Sequence, residues 1–421
     1  MNRVQLWKVV SVVLLACGLA SAQTITTFSA PGAGTGAGQG TGGFGINPQG
    51  TVVGSYLDSG NVFHGYQCVS GCGSASTFTT FDAPGAGTGV GQGTGGFGIN
   101  PQGTVVGSYL DSGNVFHGFQ CVSGCGSAST FTTFNAPGAG TAANQGTITF
   151  SINPFGATAG YFVDASNVAH GFVTAAPFKT FVTLTDPDAG QGAGQGTFAG
   201  NVNLGGEIAG YYVDASNVAH GFVTAPPYST FTSFDPEGSV NTLTAVASAL
   251  NIEGTVAGVY FDASGALHGY VRTANGTITA YNVTGAGTGS GQGAEGLSIS
   301  DRGTSTGNYI DSSGVNHGFV RGRFGAITTF NVPAAGTGSG QGTVPEGIDL
   351  AGEITGQYID SSGVNHGFVR GPFGAITTFD APGAGTSSGQ GTLPATPNLF
   401  GAITGQYIDA NNVHYGFLRN P

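Results

Sequence analysis

Residues 353–380 read EITGQYIDSSGVNHGFVRGPFGAITTFD. Three runs rich in β-branched and aromatic residues, Glu353–Asp360, Val364–Arg370 and Ala375–Asp380, are separated by Ser361-Ser362-Gly363 and by Gly371–Gly374. Runs of this length between small turn residues read as short strands. Ser361-Ser362-Gly363 is a three-residue hairpin loop with glycine where a positive φ is needed. A fourth apolar piece, around Pro345-Glu346-Gly347-Ile348, precedes them. The four pieces are A to D in chain order. No segment carries a helical period of useful length, and glycine with β-branched residues opposes helix by propensity. The chain is therefore expected to be all-β.

The same phrases recur along the whole sequence. His64, His117, His170, His220, His268, His317 and His366 each open His-Gly-Phe or His-Gly-Tyr, and His414-Tyr415-Gly416-Phe417 carries one inserted residue. The spacings are 53, 53, 50, 48, 49, 49 and 48 residues, a period that marks a repeat architecture. Four short antiparallel strands in about 50 residues make a propeller blade. The ends sharpen this. Thr24–Phe28 is a D piece without A, B or C, and His414–Arg419 is a C piece without D. Joining them completes a blade and removes exposed sheet edges. The expected fold is an eight-bladed β-propeller with four-stranded blades, closed by the N-terminal strand. The alternative is an open β-solenoid, which would need polar caps at both ends. Phe28–Thr80 and Phe81–Thr133 differ at three positions only, whereas Gly238–Leu250 departs most from the repeat.

Composition narrows the setting. Arg3 and Lys8 precede an apolar run from Val9 to Ala20, and Ala20-Ser21-Ala22 before Gln23 is a small-x-small cleavage site. Residues 1–22 thus read as a secretory signal peptide and 23–421 as one repeat domain. Leu14-Leu15-Ala16-Cys17-Gly18 also offers a lipoprotein-type acceptor at Cys17, with Leu15 a poor fit for its position. No later stretch has the ~18 continuous apolar residues of a membrane helix. Without residues 1–22 there remain 7 basic and 21 acidic residues, a net charge of −14, which disfavours nucleic acid and anionic membranes as partners. Cys68, Cys72, Cys121 and Cys125 form two identical local pairs. In an exported chain these read as disulfides Cys68–Cys72 and Cys121–Cys125. A shared zinc site is the lesser alternative, since no histidine adjoins them.

Every B piece ends in aspartate: Asp58, Asp111, Asp164, Asp214, Asp262, Asp311, Asp360 and Asp409. The hairpin register pairs Tyr358 with His366 and puts Tyr358, Asp360, His366 and Phe368 on one face. The expected arrangement is a repeated structural network, with each Asp capping turn amides beside a histidine. A carboxylate beside an imidazole selects one tautomer. Eight near-identical pairs spread around a ring do not form one catalytic centre, and the spacing is not a calcium loop. No metal and no cofactor are expected. The glycine-rich D-to-A loops lack a Walker lysine and a following helix. They would present Gln39, Gln92, Gln145, Gln195, Gln292, Gln341 and Gln390 on one face, either to a sugar or peptide or as loop anchors. Aromatics of B, C and D read as packing between sheets, with a binding ladder of those that reach a face as the functional alternative.

The phrases resemble a bacterial extracellular repeat family named for a His-Ala-Phe motif. Its units join Ile-Asn-x-x-Gly…Gly-x-Tyr to His-x-Phe. The match is Ile46-Asn47-Pro48-Gln49-Gly50, Gly54-Ser55-Tyr56 and His64-Gly65-Tyr66, with Ile99–Gly103 and Ile152-Asn153 repeating it. Glycine stands where the family has alanine. The resemblance covers the chain from 23 onward and implies an exported bacterial protein; it transfers no catalytic residue. The functional expectation is a secreted, non-enzymatic, monomeric binding or surface-interaction module, with an extracellular glycan or surface protein as partner. The rivals are a polysaccharide hydrolase or lyase and a passive envelope or matrix protein. An enzyme should break the repeat at one place, and Asp235–Asn251 and Asp186–Asp188 are the only breaks carrying acids.

Overall fold

The computed structural model describes residues 23–421 apart from 123, 176–179 and 245–248, so the signal-peptide reading of 1–22 and the acceptor at Cys17 lie outside the described residues. Blade 7 shows how each unit folds. Strands A (Gly342–Ile348), B (Ile354–Ile359), C (Asn365–Arg370) and D (Ile376–Phe379) pair antiparallel in that order. Gly363 turns B into C with φ +81°. Blades 1 to 6 repeat the pattern, their A strands running Gly40–Ile46, Gly93–Ile99, Gly146–Ile152, Gly196–Val202, Asn241–Thr244 and Gly293–Ile299; blade 8 begins with Gly391–Pro397. Neighbouring A strands approach one another around the axis.

The ring closes through its ends. Ile25–Phe28 pairs antiparallel with His414–Arg419, from Ile25 opposite Arg419 to Phe28 opposite Gly416. The first strand is thus D of blade 8. Across the same seam Asn398 Nδ2 donates to the Asn47 carbonyl at 2.9 Å. A solenoid leaves its terminal repeats apart, so these contacts exclude the open alternative. The protein is an eight-bladed, four-stranded β-propeller.

Three devices join blade to blade. The first is aromatic. The D-strand ring of one blade meets the C-strand ring of the next edge-on, as in Phe28–Tyr66, Phe81–Phe119, Phe330–Phe368 and Phe379–Phe417, with centroids 5.9–6.0 Å apart. Tyr66, Phe119, Phe368 and Phe417 are fully buried. The D ring also lies over the glycine of the His-Gly-Phe phrase in its own blade: a Cβ at Gly367 would stand 2.4 Å from Phe379. The alanine of the resembled family has no room here.

The second device is Gly-Gln-Gly. The backbone of Asn365, at the start of strand C in blade 7, donates to the Gln390 carbonyl at 2.9 Å, and Gly391 then pairs parallel with Asn365. Blade 5 lacks this sequence. There the Asn241 side chain accepts from the Ala219 amide at 2.9 Å and replaces the missing carbonyl.

The third device is the A-to-B turn. Asn153 Oδ1 accepts the amides of Phe155 and Ala157, while its Nδ2 donates to the Asn203 carbonyl of the next blade at 3.0 Å. Asn203 and Asn251 reach their following blades in the same way. The two disulfides, Cys68–Cys72 and Cys121–Cys125, close the C-to-D loops of blades 1 and 2, each with Cα atoms 5.4 Å apart.

Candidate functional site

The Asp and His residues lie on the face formed by the B-to-C turns. Asp360 Oδ1 accepts the Ser362 and Val364 amides at 2.8 and 2.9 Å, and the same pair of bonds recurs in every blade, Asp409 included. The Val62 amide is the main cause holding Asp58 below the ordinary carboxylate range. At Asp360 burial opposes the shift, but the Val364 and Ser362 amides and His366 outweigh it. His366 stacks on Tyr358 at 4.7 Å and 17°. Its Nε2 lies 3.5 Å from Asp360 and its Nδ1 2.8 Å from Asp380. The second contact, to the residue after strand D, has counterparts in Asp82, Asn135, Thr185, Asp235, Asn282 and Asn331. In blade 3 the stacking partner is Phe162. With both ring nitrogens engaged, each of these seven imidazoles works as a clasp between the hairpin and strand D.

His414 is the exception, which corrects its place in the network. Tyr415 stands opposite Tyr407 and stacks on it at 5.1 Å, while His414 pairs with Ile408. The reason is steric. Gly416 must lie under Phe28, since a Cβ there would come within 2.1 Å of the ring. The inserted residue therefore displaces the histidine by one position. His414 is instead a seam residue, its amide donating to the Gln39 carbonyl at 2.8 Å. Burial lowers its imidazole pKa.

The glutamines spend their side chains inside the loops. Gln39 Oε1 accepts the Gly36 amide at 2.9 Å, and its Nε2 reaches the Ser59 carbonyl and Asn61 Oδ1 at 3.3 and 3.0 Å. Gln92, Gln145 and Gln195 repeat all three bonds. Gln292, Gln341 and Gln390 likewise tie their loop to the neighbouring turn. Their amides hold loop against turn, and free recognition groups must be sought elsewhere.

The axis supplies them. Each regular A strand carries a β-bulge. In blade 1, Gly43 pairs with Gly54 and Gly45 with Val53, so Phe44 has no partner opposite. A bulge re-aims the extra residue. The same position holds Phe97, Phe150, Gly200, Leu297 and Glu346. Phe44 and Phe97 are 43% and 40% exposed, unusual for rings on innermost strands.

Two cavities of about 300 and 260 Å³ open here and share Phe150. Phe44 and Phe97 stand 6.4 Å apart, Phe150 and Tyr161 5.5 Å, Tyr161 and Phe198 5.0 Å, and Phe198 stacks on Tyr211 at 4.9 Å. An aromatic arc thus follows blades 1 to 4. Blade 6 has Glu295 at the inner-strand position of Phe198, and blade 7 has Glu346 at the bulge position of Phe44. Burial raises both carboxyls, Glu346 to about 7. The repeat is symmetric in its hairpins and asymmetric along its axis. Among the described residues no three His, Cys, Asp or Glu side chains converge as a metal-binding set, and no helix is long and apolar enough to cross a membrane.

An aromatic ladder on B, C and D is the lesser expectation beside the loops; the A-strand rings Phe44, Phe97, Phe150 and Phe198 are not foreseen from the sequence. Their signal is divergence within the repeat. Residues 42–46, 148–152, 198–202, 295–299 and 344–348 read GGFGI, ITFSI, FAGNV, EGLSI and VPEGI, while every B piece keeps Gly-x-Tyr or Gly-x-Phe and every C piece keeps Gly-Phe or Gly-Tyr.

No protein-family model and no curated protein matches the sequence, so the His-Ala-Phe resemblance rests on its phrases alone. Solved structures do match. Dipeptidyl peptidase 4 of Porphyromonas gingivalis aligns with a TM-score of 0.50 at 8% identity, over 89% of this chain and 56% of the peptidase. A Burkholderia pseudomallei lectin aligns at 0.47 and 13% identity over 84% and 98% of the two chains. The WD40 domain of SCAP from fission yeast aligns at 0.42 and 8% over 94% and 98%. The chain spans little more than half of the peptidase, and the likeness is one of fold.

Proposed function

We propose that this chain is an exported, non-enzymatic binding module of the His-Ala-Phe repeat type, secreted through residues 1–22, whose ligand is a carbohydrate seated in the axial cavity. The observation that carries the reading is the arc Phe44–Phe97–Phe150–Tyr161–Phe198–Tyr211, in which bulges on the innermost strands place the first three rings, paired A- and B-strand positions place the others, and all line a concave space. Ligand sites combine apolar walls with a few placed polar groups. A pyranose ring has an apolar C–H face that stacks on an aromatic ring and hydroxyls at its edge. Ser55 and Ser108, which line the first cavity, carry hydroxyls suited to that edge. The β-propeller fold hosts many functions, so the argument rests on the axial residues.

The test is a glycan and cell-wall-polymer binding screen on the purified 23–421 chain, with and without calcium. Binding to at least one glycan class is expected, reduced about tenfold (~1.4 kcal/mol) by Phe97→Ala. Lack of binding across the screen would return the chain to the passive structural reading.

A further inference from the structure

A separate cavity, of about 200 Å³, lies between blades 4 and 5 and is lined by Glu207, Thr224, Thr232, Gly254, Arg272 and Ala274 among others. Arg272 ends strand C of blade 5 and is 5% exposed. Its guanidinium lies over the Phe234 ring of blade 4 at 5.1 Å. Nη1 reaches the Thr273 carbonyl at 3.4 Å, and Nε has no partner among the described residues. A guanidinium carries five N–H donors in a fixed fork, and burying such a charge without partners is costly.

Glu207 lines the same cavity. Its Oε2 accepts from Asn203 Nδ2 at 2.7 Å and lies over Gly254, where a Cβ would approach within 2.8 Å. The cavity therefore combines a donor in Arg272, an acceptor in Glu207 and the threonines Thr224 and Thr232.

The repeat supplies its own controls. Arg321 and Arg370 occupy the equivalent buried position in blades 6 and 7, stacked on Tyr281 and Phe330. The residue matching Glu207 is there Thr255 or Thr304. Four such arginines plug the seams, and Nε is without a partner among the described residues in each. Two face threonine and two face a carboxylate, the second being Glu353 beside Arg419, held over Gly401; the Arg272–Glu207 pair is the one that lines this cavity.

We propose that the blade 4–5 cavity is a second ligand site, taking one neutral sugar ring whose adjacent hydroxyls accept from Arg272 and donate to Glu207. The volume lies below the ~300–1,000 Å³ of drug-sized sites and suits a single ring. A carboxylated or sulfated unit meets repulsion from Glu207; a purely apolar one leaves Arg272 unpaired. This site does not depend on the axial arc, and its test separates the two.

The experiment is NMR titration of the 23–421 chain with methyl glycosides of common neutral hexoses and deoxyhexoses, on the parent, Glu207→Gln, Phe97→Ala and Ala274→Trp. Ala274 is exposed at the cavity rim, so the tryptophan blocks entry without altering the charged pair. At least one glycoside should shift cavity resonances in the parent and in Phe97→Ala. Its affinity should fall tenfold or more in both Glu207→Gln and Ala274→Trp. The proposal is overturned if no glycoside binds, if sulfate binds in its place, or if Phe97→Ala removes binding while the cavity variants keep it. If Glu207→Gln does not fold, Ala274→Trp alone decides.

Discussion

At the scale of single residues, the two glycines of Gly-Gln-Gly are held for different reasons. Gly340 has φ +79° with open space around it, whereas Gly342 has φ +115° and a Cβ there would come within 2.0 Å of the Asn316 carbonyl. Positive φ costs an L-residue roughly 1–2 kcal/mol; a backbone collision adds displacement of the neighbouring blade. Gly340→Ala should lose about 1–2 kcal/mol and Gly342→Ala ~3 kcal/mol or more, read from denaturant midpoints. Equal losses would remove the steric account. Glu346 carries a pH signature. Burial holds its carboxyl at about 7, above the ordinary 4.5. Between those values the folded chain keeps a proton that the unfolded chain has released, so stability falls as pH rises through that window. Glu346→Gln should match the parent at pH 4 and exceed it at pH 8 by roughly 1–3 kcal/mol. Parallel stability profiles would contradict the assignment.

At the scale of elements, the A-to-B turn does two jobs with one amide. Asn153 caps its turn through Oδ1 and crosses to the next blade through Nδ2. Asp349, at the same place in blade 7, still accepts the Glu353 amide at 2.8 Å but as a carboxylate has nothing to donate. Asn153→Asp should therefore cost about 1–2 kcal/mol, the loss of the seam bond, and Asn153→Leu more, since turn amides are then left unmet; calorimetric Tm values would show the order. The same scale explains what the sequence disclosed. The B–C hairpin follows a strict period of two around a glycine turn, so the pairing of Tyr358 with His366 was legible before any coordinates. Strand A was not, because its bulge breaks the alternation and leaves Phe44 or Phe97 outside either face. His414 misled for a related reason. Register is set by the crowded glycine beneath the D ring, and a count of histidines ignores that contact.

At the scale of the whole molecule, closure rests on one short strand. Phe28 is 6% exposed and packs edge-on to Tyr66 of blade 1 while its strand pairs with blade 8. Phe28→Ala should cost about 3–5 kcal/mol and, by weakening both sides of the seam, favour association through the freed edge of Gly416–Arg419. Scattering that stays monomeric with an unchanged melt would place closure elsewhere. The larger division is between what repeats and what does not. Hairpin clasps, loop glutamines and aromatic seams recur around the ring and hold it together; the aromatic arc and the two inner-strand glutamates break its symmetry. The most direct test is the Kd of a glycan recovered in the binding screen, measured by calorimetry for Phe97→Ala and for His366→Ala. The axial account predicts a Kd about tenfold weaker for Phe97→Ala at little change in Tm, and for His366→Ala an unchanged Kd with a lowered Tm. A weakened Kd in His366→Ala alone, with Phe97→Ala binding as the parent does, would contradict it.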